Sequence, residues 1–239
     1  MSLIEEQPAG PRHLFRGQSD ASWKLVPGLY RLPSPNISAK SLDESYSLYE
    51  AQLIDFFFRE AFPYLPRVER GYSNDRIIAQ HFGVPTRLLD WSSDPFVALF
   101  FALESWERDE DAAIYMLLPD ARYLPEHVSG LGLHKAIAFT PLALDRRVPA
   151  QKSVFTFHPY GPDSARFVPL DDREDFGNKL AGTNGISSNG FLKIVVPQAR
   201  KRVLFQDLLQ KGVDRRNLFP GLDGVGSDIA QRAKCGQVW

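Results

Sequence analysis

The 239-residue chain sets 28 Lys and Arg against 29 Asp and Glu, a formal net charge of −1, so it has no global field to draw in nucleic acid or an anionic membrane. Hydrophobic residues make up 44% of it, with 17 Phe, ample for a core and compatible with a single domain. A lone cysteine, Cys235, excludes an internal disulfide framework and a cysteine-built zinc cluster, and the longest apolar run, Pro95 to Leu103, is too short to span a bilayer. No basic-then-apolar leader pattern opens the chain, and the expectation is a soluble, cytoplasmic protein.

Residues 1–11 are polar and punctuated by Pro and Gly, which predicts a flexible N-terminal segment ahead of one domain over 12–239. His13 to Gly17 reads as a short strand, followed by a turn-rich stretch through Trp23 to Arg31. Ser41 and Glu44 form a capping-box pattern, in which each side chain covers the other residue's free backbone N–H. Leu42, Tyr46, Tyr49, Leu53, Phe56 and Phe57 then recur at helical spacing and predict a buried stripe, ended by Pro63 and Pro66. A second helix is predicted from Ser73-Asn74-Asp75 to Phe82, with Gly83 as its stop and Val84-Pro85 extended after it.

Leu88-Leu89 predicts a short buried strand. Asp94 suits an N-cap with Pro95 at the first helical position, so a helix over Phe96–Trp106 is expected in the middle of the fold. Strands are predicted at 112–118, 136–139, 153–157 and 191–196, and a helix after Pro197 that ends at Gly212. The run Arg200-Lys201-Arg202 reads as a solvated face. Residues 159–190, rich in Gly, Pro, Asp, Asn and Ser, predict a long excursion that could act as a lid. Leu218 to Gly224 predicts a turn leading into a last helix around Ser227–Ala233. The fold class expected is α+β: a single domain with a split central sheet flanked by helices.

Chemistry-bearing residues concentrate between Gln80 and Ala102, directly before and inside the most apolar segment. Arg16 lies between Phe15 and Gly17 near a strand end, where it needs a carboxylate or a ligand, and Gly17 allows close approach to the backbone. Arg87 and Asp90, three residues apart, are expected to pair with each other. His81 at a helix end reads as a structural hydrogen-bonder, Trp23 and Trp91 as core residues that could otherwise stack on a base, and Ser92-Ser93 as more than caps, since Asp94 already caps the helix. No second His stands at metal spacing, so no metal is expected, and Gly-x-Ser-x-Gly, Walker and His-Glu-x-x-His patterns are absent.

Phe15-Arg16-Gly17-Gln18 with Trp23 and Leu29-Tyr30-Arg31, His81 to Trp91 with Ala98 and Phe101-Ala102, Arg147 with Gln151, Phe155 and His158, and Leu218 to Gly224 together resemble the bacterial FRG domain, named for its aromatic-Arg-Gly signature. A weaker resemblance is to the ADP-ribosyltransferase fold. Phe15-Arg16-Gly17 is similar to its first-strand motif and Ser92-Ser93 with Ala98 to Phe101 to its second; Gln151 stands where its catalytic Glu would be.

This second resemblance implies a site for NAD or an ADP-ribose-like nucleotide. Arg16, Ser92, Gln151 and Asp90 would be its catalytic set, and Arg16, Gly17, Gln18, His81, Arg87, Trp91 and Ser93 would hold the nucleotide. The implied activity is ADP-ribosyl transfer or NAD cleavage in a toxin or phage-defence system. Gln151 is neutral and cannot offset an oxocarbenium charge as a carboxylate would. The alternative is therefore a non-catalytic sensor that binds a ligand or a protein partner, and a third reading is a hydrolase using His81 with Asp90.

Overall fold

The computed structural model describes residues 13–65, 70–119, 122–123, 128, 136–143, 145–160, 167–172 and 191–236. The expectations for 1–11 and for most of the 159–190 excursion fall outside these residues. The fold is α+β, built on one seven-stranded sheet. Its strands are β1 (Leu14–Gln18), β2 (Leu88–Ser92), β3 (Ala112–Leu117), β4 (Arg122–Tyr123), β5 (Ile137–Phe139), β6 (Ser153–Phe157) and β7 (Phe191–Val196), in the spatial order β4-β5-β6-β2-β1-β3-β7. Neighbours run antiparallel except β4 and β5.

The sheet is uneven at its centre. β1 pairs with β3 from Leu14↔Leu117 to Gln18↔Ala113, and β2 pairs with β6 along its whole length. Between β1 and β2 the ladder is reduced to a single pair, Phe15↔Ser92. The split expected in the sheet is only partial: it remains one sheet, and its two halves meet at this single rung, beyond which β1 and β2 form no further pair.

The helices are α1 (Leu42–Ala61), α2 (Tyr72–His81), α3 (Pro95–Leu103), α4 (Arg147–Ala150), α5 (Gln198–Gln210), α6 (Arg215–Leu218) and α7 (Leu222–Lys234). Asp94 caps α3, its side chain accepting from the Phe96 amide at 2.8 Å, and Pro95 opens the helix at no cost because its N–H would have been unpaired. Val97, Ala98, Phe100, Ala102 and Leu103 are buried as expected of so apolar a helix, while Phe96 is exposed. At Gly17 a Cβ would overlap the carbonyl oxygen of Ala98 and the amide nitrogen of Ala102, so α3 lies directly on the backbone of β1. Gly83, at φ +90, makes the left-handed turn that ends α2.

Four expectations need correction. The buried row of α1 is Tyr46, Glu50, Ile54 and Phe58, spaced by four, whereas Phe56 is 67% exposed and Leu42 is at the surface. The helix is rotated to bring Glu50 inward, because Glu50 is the counter-charge for Arg76 and Arg87. The capping box is not reciprocal: Ser41 Oγ accepts from the Glu44 amide, but the Glu44 carboxylate accepts from the amide of Lys40 at 2.6 Å.

The Arg200-Lys201-Arg202 run is solvated only in part: Arg200 and Arg202 are exposed, but Lys201 is fully buried with Nζ donating to the carbonyls of Arg108 and Glu110, both at 3.0 Å. The last helix starts at Leu222, five residues before the expected Ser227. Two glycines hide that start, but Gly224 is needed where a Cβ would overlap the Phe219 carbonyl.

Candidate functional site

The residues that open the split also line a cleft of about 330 Å³. Phe15, Arg16, Gly17 and Gln18 all border it. Successive residues of a strand point to opposite faces, so a cleft touched by four in a row lies along the edge of β1, in the gap itself. Asp90, Trp91 and Ser92 form the facing edge on β2; Ala98, Phe101 and Glu104 come from α3 and its C-cap, Gln151 and Ser153 from the start of β6, Phe219 from the turn after α6, and Trp23 and Arg31 from the loop after β1.

Arg16 bridges the gap. Its Nη1 donates to the Asp90 carbonyl at 2.7 Å, covering a backbone acceptor where no strand does so, and lies 3.8 Å from Asp90 Oδ2. Its Nε is buried with no hydrogen-bond partner among the described residues. Burial holds the Arg16 guanidinium below its ordinary pKa, with Asp90 working against that shift and Arg31 reinforcing it. Arg16 thus keeps one N–H unpartnered among the described residues and shares the cleft lining with a second cation, Arg31.

Asp90 does not pair with Arg87, contrary to expectation. Its Oδ2 accepts from Gln80 Nε2 at 2.8 Å, and Gln80 is held in turn by the Thr86 hydroxyl. Arg87 lies away from the cleft, buried with Nε 3.0 Å from Glu50 Oε2 and Nη1 donating to Ser47 Oγ. Arg76 shares the same carboxylate oxygen at 2.9 Å, so one buried acid holds two guanidinium groups. The physical reason is distance along the chain: Glu50, 37 residues away, could not be recognised as the partner from local spacing.

His81 also lies outside the cleft lining. Its Nε2 is 3.5 Å from Asp145 Oδ2, so it faces Asp145 where the hydrolase reading requires Asp90. Burial lowers its pKa below the ordinary value of 6.5, with Asp145 opposing the shift.

The two serines are engaged with backbone. Ser92 Oγ donates to the Gln151 carbonyl at 2.8 Å and accepts from the Asp94 amide at 3.0 Å. Ser93 is outside the lining, with Oγ 3.4 Å from the Lys152 carbonyl. Gln151 Nε2 donates to the Leu218 carbonyl at 3.0 Å, which ties β6 to the Phe219 turn. Trp91 is core, 3% exposed, with Nε1 donating to Thr156 Oγ1 at 2.7 Å. Trp23 is not core: it is 44% exposed on the cleft wall.

The structure therefore gathers Arg16, Gly17, Gln18, Asp90, Trp91, Ser92 and Gln151 around one cleft and leaves His81, Arg87 and Ser93 out of its lining. Glu104 is a wall residue that sequence reasoning missed. Its carboxylate meets Arg215 Nη1 at 2.5 Å, and burial nevertheless raises its pKa against the pull of that cation. Phe219 is flanked by two guanidinium groups, Arg215 at 4.5 Å and Arg147 at 5.4 Å from its ring centroid. The signal for Glu104 was its position, three and six residues beyond Phe101 and Ala98 on one helical face. Among the described residues, no three His, Cys, Asp or Glu side chains gather as a metal site, and no helix is long and apolar enough to cross a membrane.

Residues 11–111 match the family model described as the FRG domain, which takes in β1, β2, α3 and most of the cleft wall. No curated protein and no solved structure matches the chain.

Proposed function

We propose that this chain, which carries an FRG domain over residues 11–111, binds NAD or a related ADP-ribose-bearing nucleotide in the cleft between β1 and β2. The observation that carries this reading is Arg16, held in the gap with a buried, unpartnered Nε and a second cation, Arg31, lining the same cleft. A guanidinium with N–H groups to spare suits a diphosphate, which accepts paired charge-assisted bonds. Trp23 and Phe101 on the walls offer flat apolar surface to a base or a pyridine ring.

The reaction supported by this arrangement is cleavage of the nicotinamide–ribose bond, with or without transfer of the ADP-ribosyl group. Gln151 supplies no charge, but Asp90 stands 3.8 Å from Arg16 and Glu104 lines the same cleft, so a carboxylate is at hand for the developing oxocarbenium ion. A sensor that binds without reacting is the second reading, favoured by Ser92, whose hydroxyl is already committed to the Gln151 carbonyl and the Asp94 amide.

Calorimetric titration with NAD and with ADP-ribose, repeated on Arg16→Ala and followed by a nicotinamide-release assay, separates these readings. Binding by the wild type that is lost in Arg16→Ala, together with release, is the outcome expected of an enzyme; binding without release identifies the sensor. Absence of binding to either nucleotide overturns the proposal.

A further inference from the structure

We infer that Gln18 and Trp23 form a recognition subsite for a planar, amino-bearing ring in this cleft, an assignment that rests on the nucleotide reading above. Gln18 is the last residue of β1, only 5% exposed, and it borders the cleft. Its Oε1 is buried without a hydrogen-bond partner among the described residues. A buried acceptor left in that condition has lost its water without a replacement, so it is rarely retained without use. A ligand that places an N–H on Oε1 supplies that replacement, whereas a phosphate or an ether oxygen has no proton to give.

Trp23 supplies the flat surface. It is 44% exposed although large aromatics are ordinarily drawn into the core, and it lines the same cleft. The surrounding residues hold it in place: its carbonyl accepts from the Tyr115 hydroxyl at 3.2 Å, and the Arg108 guanidinium lies 5.1 Å from its ring centroid. Asp20 fixes the loop ahead of it, accepting from the Ser22 amide at 2.8 Å. An anchored indole and an unsatisfied carboxamide oxygen lining the same cleft match a flat ring whose edge carries an N–H donor.

Two parts of NAD carry that edge: the aminopyrimidine of adenine and the carboxamide of nicotinamide. Titration of the wild type with NAD, nicotinamide purine dinucleotide (hydrogen in place of the adenine amino group) and nicotinic acid adenine dinucleotide tells them apart, because each analogue lacks one of the two amino groups and gains no N–H in its place. One analogue is expected to bind about tenfold more weakly than NAD, and Gln18→Leu is expected to abolish the difference. Gln18→Met, of similar length and also without the acceptor, serves if the leucine variant does not fold.

Equal binding of all three by the wild type overturns the assignment, as does a preference that survives loss of the Gln18 carbonyl. If NAD binding still depends on Arg16 in those cases, the nucleotide site stands and only the subsite falls. If NAD does not bind at all, both fall.

Discussion

Gly17 shows how much one missing carbon can decide. The aromatic-Arg-Gly sequence reads as though its glycine were there to admit a ligand, yet the space it leaves is filled by the backbone of α3 at Ala98 and Ala102. Gly17→Ala forces β1 and α3 apart and is expected to cost about 3 kcal/mol or more, measured as a fall in the midpoint of urea unfolding. His81 makes a second prediction at this scale. Burial keeps its folded pKa below the unfolded value of about 6.5. The native state therefore binds fewer protons there than the unfolded chain, and the associated stability is present above that value and lost as pH falls through the lower folded pKa. Unfolding measured across that range should show a shallower acid loss in His81→Asn than in the wild type.

At the scale of elements, the buried acid of α1 does the joining. Glu50 is fully buried and receives the Arg76 guanidinium from α2 and both the amide and guanidinium of Arg87 at the entry to β2. Glu50→Gln keeps the shape and removes the charge, which takes the buried counter-charge from two guanidinium groups, 8% and 5% exposed, and leaves Arg87 only the more distant Asp43 at 3.9 Å. A loss of about 3–5 kcal/mol is expected, read from chemical denaturation. This network also marks the limit of legibility. Capping signals, proline and glycine stops and apolar runs placed α1 to α3, β3, β5 to β7 and α5 within a few residues, because those signals are local. The inward turn of Glu50 and the burial of Lys201 were not legible, since each depends on a partner far along the chain. Glycines at 224 and 226 hid the first turn of α7 for a related reason: propensity opposes a helix there, and only packing against Phe219 explains Gly224.

For the whole molecule, the two halves of the sheet are secured unequally. β4-β5-β6-β2 and β1-β3-β7 are continuous ladders, and one rung at Phe15↔Ser92 with the Arg16–Asp90 contact joins them across the middle. The site was legible in part, because Arg16, Gln18, Asp90 and Ser92 come from two stretches that mark themselves by composition. Glu104, Phe219 and Arg31 were not, since the cleft acquires them only when α3, the α6–α7 turn and the post-β1 loop close on the gap. A nucleotide seated there should slow amide hydrogen exchange in β1 and β2 more than in β3 or β6, and exchange mass spectrometry with and without NAD checks this.

The single rung gives any such ligand a second effect. Leu14 and Tyr115 of one half share a buried cluster with Leu89, Trp91 and Val154 of the other, so side-chain packing holds the halves together, and a molecule that bonds to Arg16 and to β2 adds polar links where the backbone ladder supplies only one rung. Those links close the gap from within, and occupancy should raise the stability of the sheet by mass action, seen as an unfolding midpoint that climbs with nucleotide concentration.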